Sequence, residues 1–201
     1  MSDHVTITRR PGVAYASFET INASQSQMVF WKNQDNEAHW PFFSAGTPPP
    51  SLPFQVGANG TSDGLQPATA LGPTYYPVGN SPVPVPQGQA LPVTYTCQLH
   101  SGESGTIKIY ADFYSQPNQL PGATRGTAYT ASLTTGGLPP YTFQVSNSNL
   151  PASLKVNNVA GQGPVVSGTP GSGDAGSFAF DLSCQDSDQN DVTQTYLLTV
   201  S

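Results

Sequence analysis

The stretch Tyr95-Thr96-Cys97-Gln98-Leu99-His100-Ser101-Gly102-Glu103-Ser104-Gly105-Thr106-Ile107-Lys108-Ile109-Tyr110 decides the fold of the first half of the chain. Residues 91–96 and 105–110 are rich in β-branched and aromatic side chains and are predicted strands. The loop between them, residues 97–104, carries Cys97 and His100 with two residues in between. One short loop therefore presents a thiolate and an imidazole, a donor pair that favours copper or zinc. A second imidazole must come from elsewhere, and His39 is the natural candidate. It follows a strand and a turn, so it can sit at the same end of a sandwich as the 97–104 loop. Two His and one Cys around one ion, with a weak axial group, make the blue-copper arrangement.

The 201 residues suffice for one large all-β domain or two small ones. Gly and Pro contribute 20 residues each, and charged residues only 9%. Such a composition leans toward low complexity. Here, however, Val, Ile, Leu, Tyr, Phe and Thr recur in short alternating runs, so many short strands joined by tight turns are expected. Strands are predicted over 5–7, 14–18 and 26–31. In the last, Val29 and Trp31 face one way, and Met28, Phe30 and Lys32 the other. Asn33-Gln34-Asp35-Asn36 ends it. Residues 40–89 are rich in Pro, Gly, Ala and Ser, with Pro48-Pro49-Pro50 and Pro82, Pro84 and Pro86 marking extended segments. No helical pattern of meaningful length is present. Residues 115–118 read as a linker, which puts a domain boundary near 116–120.

The net charge of −6, with six Lys and Arg in total, excludes a nucleic-acid binder. No apolar run is long enough for a membrane-spanning helix. The low charge and the Thr, Ser, Asn and Gln content point to a periplasmic or extracellular protein. Met1-Ser2-Asp3 is then either a native start or a replacement for a cleaved leader. Cys97 and Cys184 fall in different halves, which argues against a disulfide. Cys184, in the strand-like run 178–184, is expected to be a small buried hydrophobe.

Trp31-Lys32-Asn33-Gln34-Asp35, followed by His39, resembles the first ligand segment of cupredoxins. Tyr95, Cys97, Leu99 and His100, followed by Gly105-Thr106-Ile107, resemble the second, in which Cys, His and usually Met precede a Gly-Thr strand. The resemblance covers roughly residues 1–114. It implies a cupredoxin-like Greek-key β-sandwich over 1–115 with one copper ion on His39, Cys97 and His100. The family's axial Met falls at position 103, where this chain has Glu103; Met1 and Met28 lie far from the loop. A carboxylate is a harder and stronger ligand than a thioether. Bound here, it favours Cu(II), lowers the potential and draws the ion toward a tetragonal geometry. The ligand set is then similar to that of nitrosocyanin-type red copper proteins, although there the carboxylate comes from the other segment. The competing reading makes Glu103 a solvent-facing loop carboxylate. Glu37 is a weaker competitor, and His4 is expected at the surface. Trp40, Phe42, Phe43 and Phe54 either wall the ion from water or are ordinary core aromatics.

In the second half, Gly126-Thr127-Ala128-Tyr129, Gly136-Gly137-Leu138-Pro139-Pro140-Tyr141-Thr142-Phe143, Leu150-Pro151-Ala152-Ser153-Leu154, Ser167-Gly168-Thr169-Pro170 and Gly176-Ser177-Phe178-Ala179-Phe180 occur in a fixed order. They resemble the bacterial Ig-like domains of secreted and surface multidomain proteins, over about 119–201. The resemblance implies an Ig-like β-sandwich that serves as a spacer or adhesion module. About seven short strands with regular turn signals agree with it. Asp174, Asp181, Asp186, Asp188 and Asp191 are candidate Ca²⁺ ligands; a polar hairpin loop is the alternative.

The leading functional expectation is electron transfer or copper redox handling by a Cys–His₂–Glu site, without enzyme activity and with an unidentified redox partner. The alternatives are binding or conversion of nitric oxide, peroxide or superoxide at an open copper position, and a metal-free adhesion module. The sequence leaves the oligomeric state open.

Overall fold

The computed structural model describes residues 4–25, 27, 29–42, 55–62, 74–75 and 83–201. Among these the regular structure is all strand, and no helix is long and apolar enough to cross a membrane. The chain divides into two units, one formed by Met1–Pro86 and Ala90–Tyr110, the other by Gln87–Gln89 and Ala111–Ser201.

The first unit contains β1 (His4–Thr8), β2 (Ser17–Phe18), β3 (Ile21–Ser24), β4 (Phe30–Asn33), β5 (Pro41–Phe42), β6 (Thr74–Tyr75), β7 (Val83–Pro84), β8 (Ala90–Cys97) and β9 (Ser104–Tyr110). One sheet has the order β2-β1-β4, with β1 and β4 parallel. The other has the order β3-β9-β8-β5, with β3 and β9 parallel and β8 antiparallel to both its neighbours. The pair β6–β7 stands apart from both. Alternation dictates the inward faces. Val5 and Trp31 are register partners and both are fully buried, as is Ile7. Ile21, Ala23, Val93, Tyr95, Ile107 and Ile109 complete the core. The sides predicted for Val29, Trp31, Phe30 and Lys32 are those observed. Met28, Phe43, Phe54, the Pro48–Pro50 run and Pro82 lie outside the described residues.

Some boundaries differ from the prediction. The 14–18 strand shrinks to β2, leaving Tyr15 exposed. The segment predicted over 26–31 becomes β4, and β3, which the polar Asn22 and Ser24 disguised, precedes it.

Tyr95 stands opposite Gly105 in the β8–β9 ladder. A Cβ at Gly105 would run into the Tyr95 ring and hydroxyl and the Cβ of Phe18. The glycine thus lets an aromatic lie across the sheet, where Tyr95 meets Trp31 and Phe18 edge-to-face, each at 5.6 Å.

The second unit contains β10 (Tyr114–Ser115), β11 (Tyr129–Ser132), β12 (Thr134–Thr135), β13 (Thr142–Ser146), β14 (Leu154–Val159), β15 (Gly163–Gly168), β16 (Gly176–Gln185) and β17 (Asp191–Val200). Its main sheets are β11-β15-β14 and β13-β16-β17, all antiparallel, and β10 pairs with β12. β14 was not anticipated because Lys155, Asn157 and Asn158 weaken its strand signal. Leu133, Phe180, Leu182, Tyr196 and Leu198 fill the interior. Cys184 is a free, buried thiol that burial pushes up to about 11, so it behaves as an apolar side chain.

Both tryptophans, Trp31 and Trp40, lie in the first unit, so their fluorescence reports its unfolding alone. Gly105→Ala is expected to destabilise that unit by about 1–3 kcal/mol. The check is the urea midpoint of tryptophan fluorescence; an unchanged midpoint contradicts the packing of Tyr95 on Gly105.

Candidate metal centre

His39 reaches the site from a two-residue bridge with Val56, whose amide and carbonyl pair with its own at 2.7 and 3.0 Å. Two residues on, Pro41 of β5 pairs with Cys97 at the end of β8. This pairing sets His39 beside Cys97. The 97–104 loop then turns back, with the Cys97 amide donating to the Glu103 carbonyl at 3.0 Å and Gly102 at φ +91° making the turn. The loop therefore folds His100 and Glu103 over the same point.

Four donor atoms converge there, all within 4.8 Å of one another: one each from His39, Cys97, His100 and Glu103. Cys97 Sγ is 3.8 Å from His39 Nδ1 and 3.6 Å from His100 Nδ1. Glu103 Oε2 is 2.8 Å from His39 Nδ1 and 3.3 Å from His100 Nδ1. Ligand bonds of the usual 2.0–2.3 Å place tetrahedral N and S donors roughly 3.5 Å apart, and N and O donors roughly 3.3 Å apart. Three of the four separations are close to these values. The fourth, between His39 and Glu103, is shorter, the length of a hydrogen bond. The residues fit a single first-row transition metal ion.

His39 is fully buried, and so is the Glu103 side chain. The solvent-facing reading of Glu103 is therefore overturned. The cause is its outer oxygen, Oε1, which accepts the buried Ala16 amide at 2.7 Å. His100 is the partly open member of the group, with 29% of its side chain exposed.

Behind each imidazole stands a carboxylate. Asp35 Oδ2 lies 2.9 Å from His39 Nε2, and Glu37 Oε2 lies 3.5 Å from His100 Nε2. A carboxylate in these positions favours a hydrogen on Nε2, which leaves the Nδ1 lone pair facing the point where the four donors converge. Glu37 thus lies outside the group of four donors, behind His100. Asn33 shapes the turn: its amide donates to the carbonyls of Glu37, Val56 and Gly57, and its oxygen accepts the Asp35 amide. Asp35 is buried, which by itself raises its pKa. Hydrogen bonds from His39 and the Asn36 amide and the charge of Arg9 outweigh this and hold the carboxyl below its ordinary value. The sulfur of Cys97 receives the Trp40 amide at 3.4 Å. Phe18, not among the expected wall aromatics, packs edge-on against the His39 ring at 5.7 Å. Trp40 is partly buried against the core.

The roles of Arg9, Asn33, Asp35 and Phe18 were missed. The Asp35–His39 spacing of four was a readable local signal. Arg9 and Phe18 come from distant strand ends and gave none.

The five aspartates of the second unit do not converge as the calcium expectation requires. Among the described residues, the only group of three or more metal-capable side chains is the one above. Asp186 accepts from the amides of Leu138, Asp188 and Asn190 and from the Asn190 side chain, capping the β16–β17 turn. Asp181 is held by Thr195 and Asn147, and Asp174 by Ser153 and the Gly171 amide.

Residues 111–201 match the family described as "Putative Ig domain". No cupredoxin family matches the first unit, and no curated protein matches the chain. Among solved structures, the chain is similar to the insect immune protein hemolin, with 10% identity over 97% of this chain and 55% of that one, at a TM-score of 0.40. It is also similar to an endo-fucoidan hydrolase of glycoside hydrolase family 107, with 16% identity over 90% of this chain and 27% of that one, at 0.38. For an I-band fragment of titin the values are 11%, 90%, 62% and 0.36. The chain thus spans well under two thirds of the hydrolase and of hemolin. Strand pairing and the family match identify residues 111–201 as an Ig-like domain.

The depressed Asp35 pKa makes its contribution to stability present above about pH 4 and lost as pH falls through the folded value. Asp35→Asn is expected to flatten the acid limb of the fluorescence-monitored unfolding curve. It should also weaken Zn(II) binding, measured by calorimetry, by about 10- to 100-fold. Unchanged Zn(II) affinity contradicts the orienting role.

Proposed function

We propose that His39, Cys97, His100 and Glu103 bind one copper ion and that the protein carries single electrons through it at low potential. The observation that carries this reading is the convergence of one thiolate, two Nδ1 atoms and one carboxylate oxygen, with each imidazole backed by a carboxylate. Soft thiolate and imidazole donors suit copper. When bound, copper supplies a one-electron Cu(II)/Cu(I) couple. The chain's own residues set how easily that couple is used. Glu103 adds a hard, anionic oxygen that favours the higher charge and so lowers the potential. The Trp40 amide, aimed at the Cys97 sulfur, draws charge from the thiolate and tempers that effect. β5, β8 and β9 hold the donors near binding distance before any ion arrives, which keeps rearrangement small on electron transfer. Phe18 and the buried flank of His39 exclude water, and His100 gives the electron a route to the surface.

The pairing of the two sheets and the position of the loop between β8 and β9 support the cupredoxin resemblance. Three histidines in the whole chain are too few for a multicopper centre, which favours electron transfer over oxidase chemistry. The low charge and the fused Ig-like domain support an exported location.

Addition of Cu(II) to the reduced protein should give a red solution with its dominant band at the violet end. Glu103→Met should shift absorption toward the orange-red and raise the potential. An intense orange-red band in the parent protein rules out Glu103 as a ligand, and no colour with Cys97 reduced removes the copper reading.

A further inference from the structure

The Arg9 guanidinium touches three carboxylates at the site, those of Asp35, Glu37 and Glu103. Nε lies 3.0 Å from Asp35 Oδ2, the same oxygen that holds His39 Nε2. A terminal nitrogen lies 2.8 Å from Glu37 Oε2, the oxygen facing His100 Nε2, and 3.6 Å from Glu103 Oε1. The Arg9 side chain is only 23% exposed.

The segment between β1 and β2 begins with Arg9 and ends with Ala16, and both ends bear on the same atom. The Ala16 amide donates to Glu103 Oε1, and Arg9 adds its charge there. Within the segment, the Tyr15 ring covers Gly102 of the ligand loop. Glu103 therefore has one oxygen committed to this segment and one, Oε2, facing the two Nδ1 atoms.

We infer that Arg9 is a positioning residue that restricts Glu103 to a single donor oxygen and, through Asp35 and Glu37, locks both imidazoles behind the ion. The inference rests on the copper reading. It assigns Arg9 two separable effects. Its planar guanidinium donates to Glu37 while lying against Asp35 and Glu103, a span that the single ammonium of a lysine cannot reproduce. Its positive charge offsets the anionic ligands and keeps the potential from falling further.

The test uses the full chain loaded with Cu(II), comparing Arg9→Gln and Arg9→Lys with the parent protein by visible absorption and redox titration. Tryptophan fluorescence serves as the check on folding. Both variants should shift the ratio of violet to orange-red absorption, because Oε1 then has only the Ala16 amide to hold it away from the ion. Only Arg9→Gln should lower the potential appreciably, with a ratio of Cu(II) to Cu(I) affinity raised about tenfold, or about 59 mV for one electron. If Arg9→Gln does not fold, the absorption of Arg9→Lys decides. Variants that are merely less stable, with the parent's absorption and potential, overturn the role of Arg9 and leave the copper reading intact. A parent protein that takes up no Cu(II) overturns both.

Discussion

A fully buried carboxylate is the constraint around which the first unit is arranged. An isolated ionised carboxylate cannot be removed from water without compensating charge and hydrogen bonds. Glu103 obtains them from the Ala16 amide and Arg9 on one oxygen and from two imidazole nitrogens on the other. These partners come from three separate places in the chain. The β1–β2 segment, the His39 bridge and the 97–104 loop must all be in position for the negative charge to be tolerated. The same set of partners gathers the four donors of the proposed metal centre.

The centre is layered. The inner donors are joined by the β5–β8 pairing and the tight turn at Gly102, and the outer carboxylates fix the direction in which each imidazole points. Arg9 ties the outer carboxylates to Glu103. This is preorganisation by hydrogen bonds on rigid strands, and it suits a function in which charge changes while geometry does not. The Ig-like domain has its own core and its own uses for its acidic groups. Its aspartates stabilise turns and strand edges.

Much of this was legible in the residues. Cys97, His100 and Glu103 share a seven-residue segment, and His39 follows a strand end rich in turn formers, so the inner group could be assembled from local pattern. The inward face of β4 followed from alternation. The direction of Glu103 was not legible, because it depends on an amide 87 residues away. Arg9 was invisible for the same reason: its partners are 26, 28 and 94 positions distant, and no sequence period joins them. Short strands such as β3 and β14 escaped because Asn, Ser and Lys on their outer faces hide the alternation.

Copper-edge X-ray absorption on the copper-loaded chain tests the central claim most directly, since it counts the donors around the ion by element. The account predicts one sulfur, two imidazole nitrogens and one carboxylate oxygen in the inner shell. A shell of nitrogen and oxygen alone, with no sulfur, contradicts it.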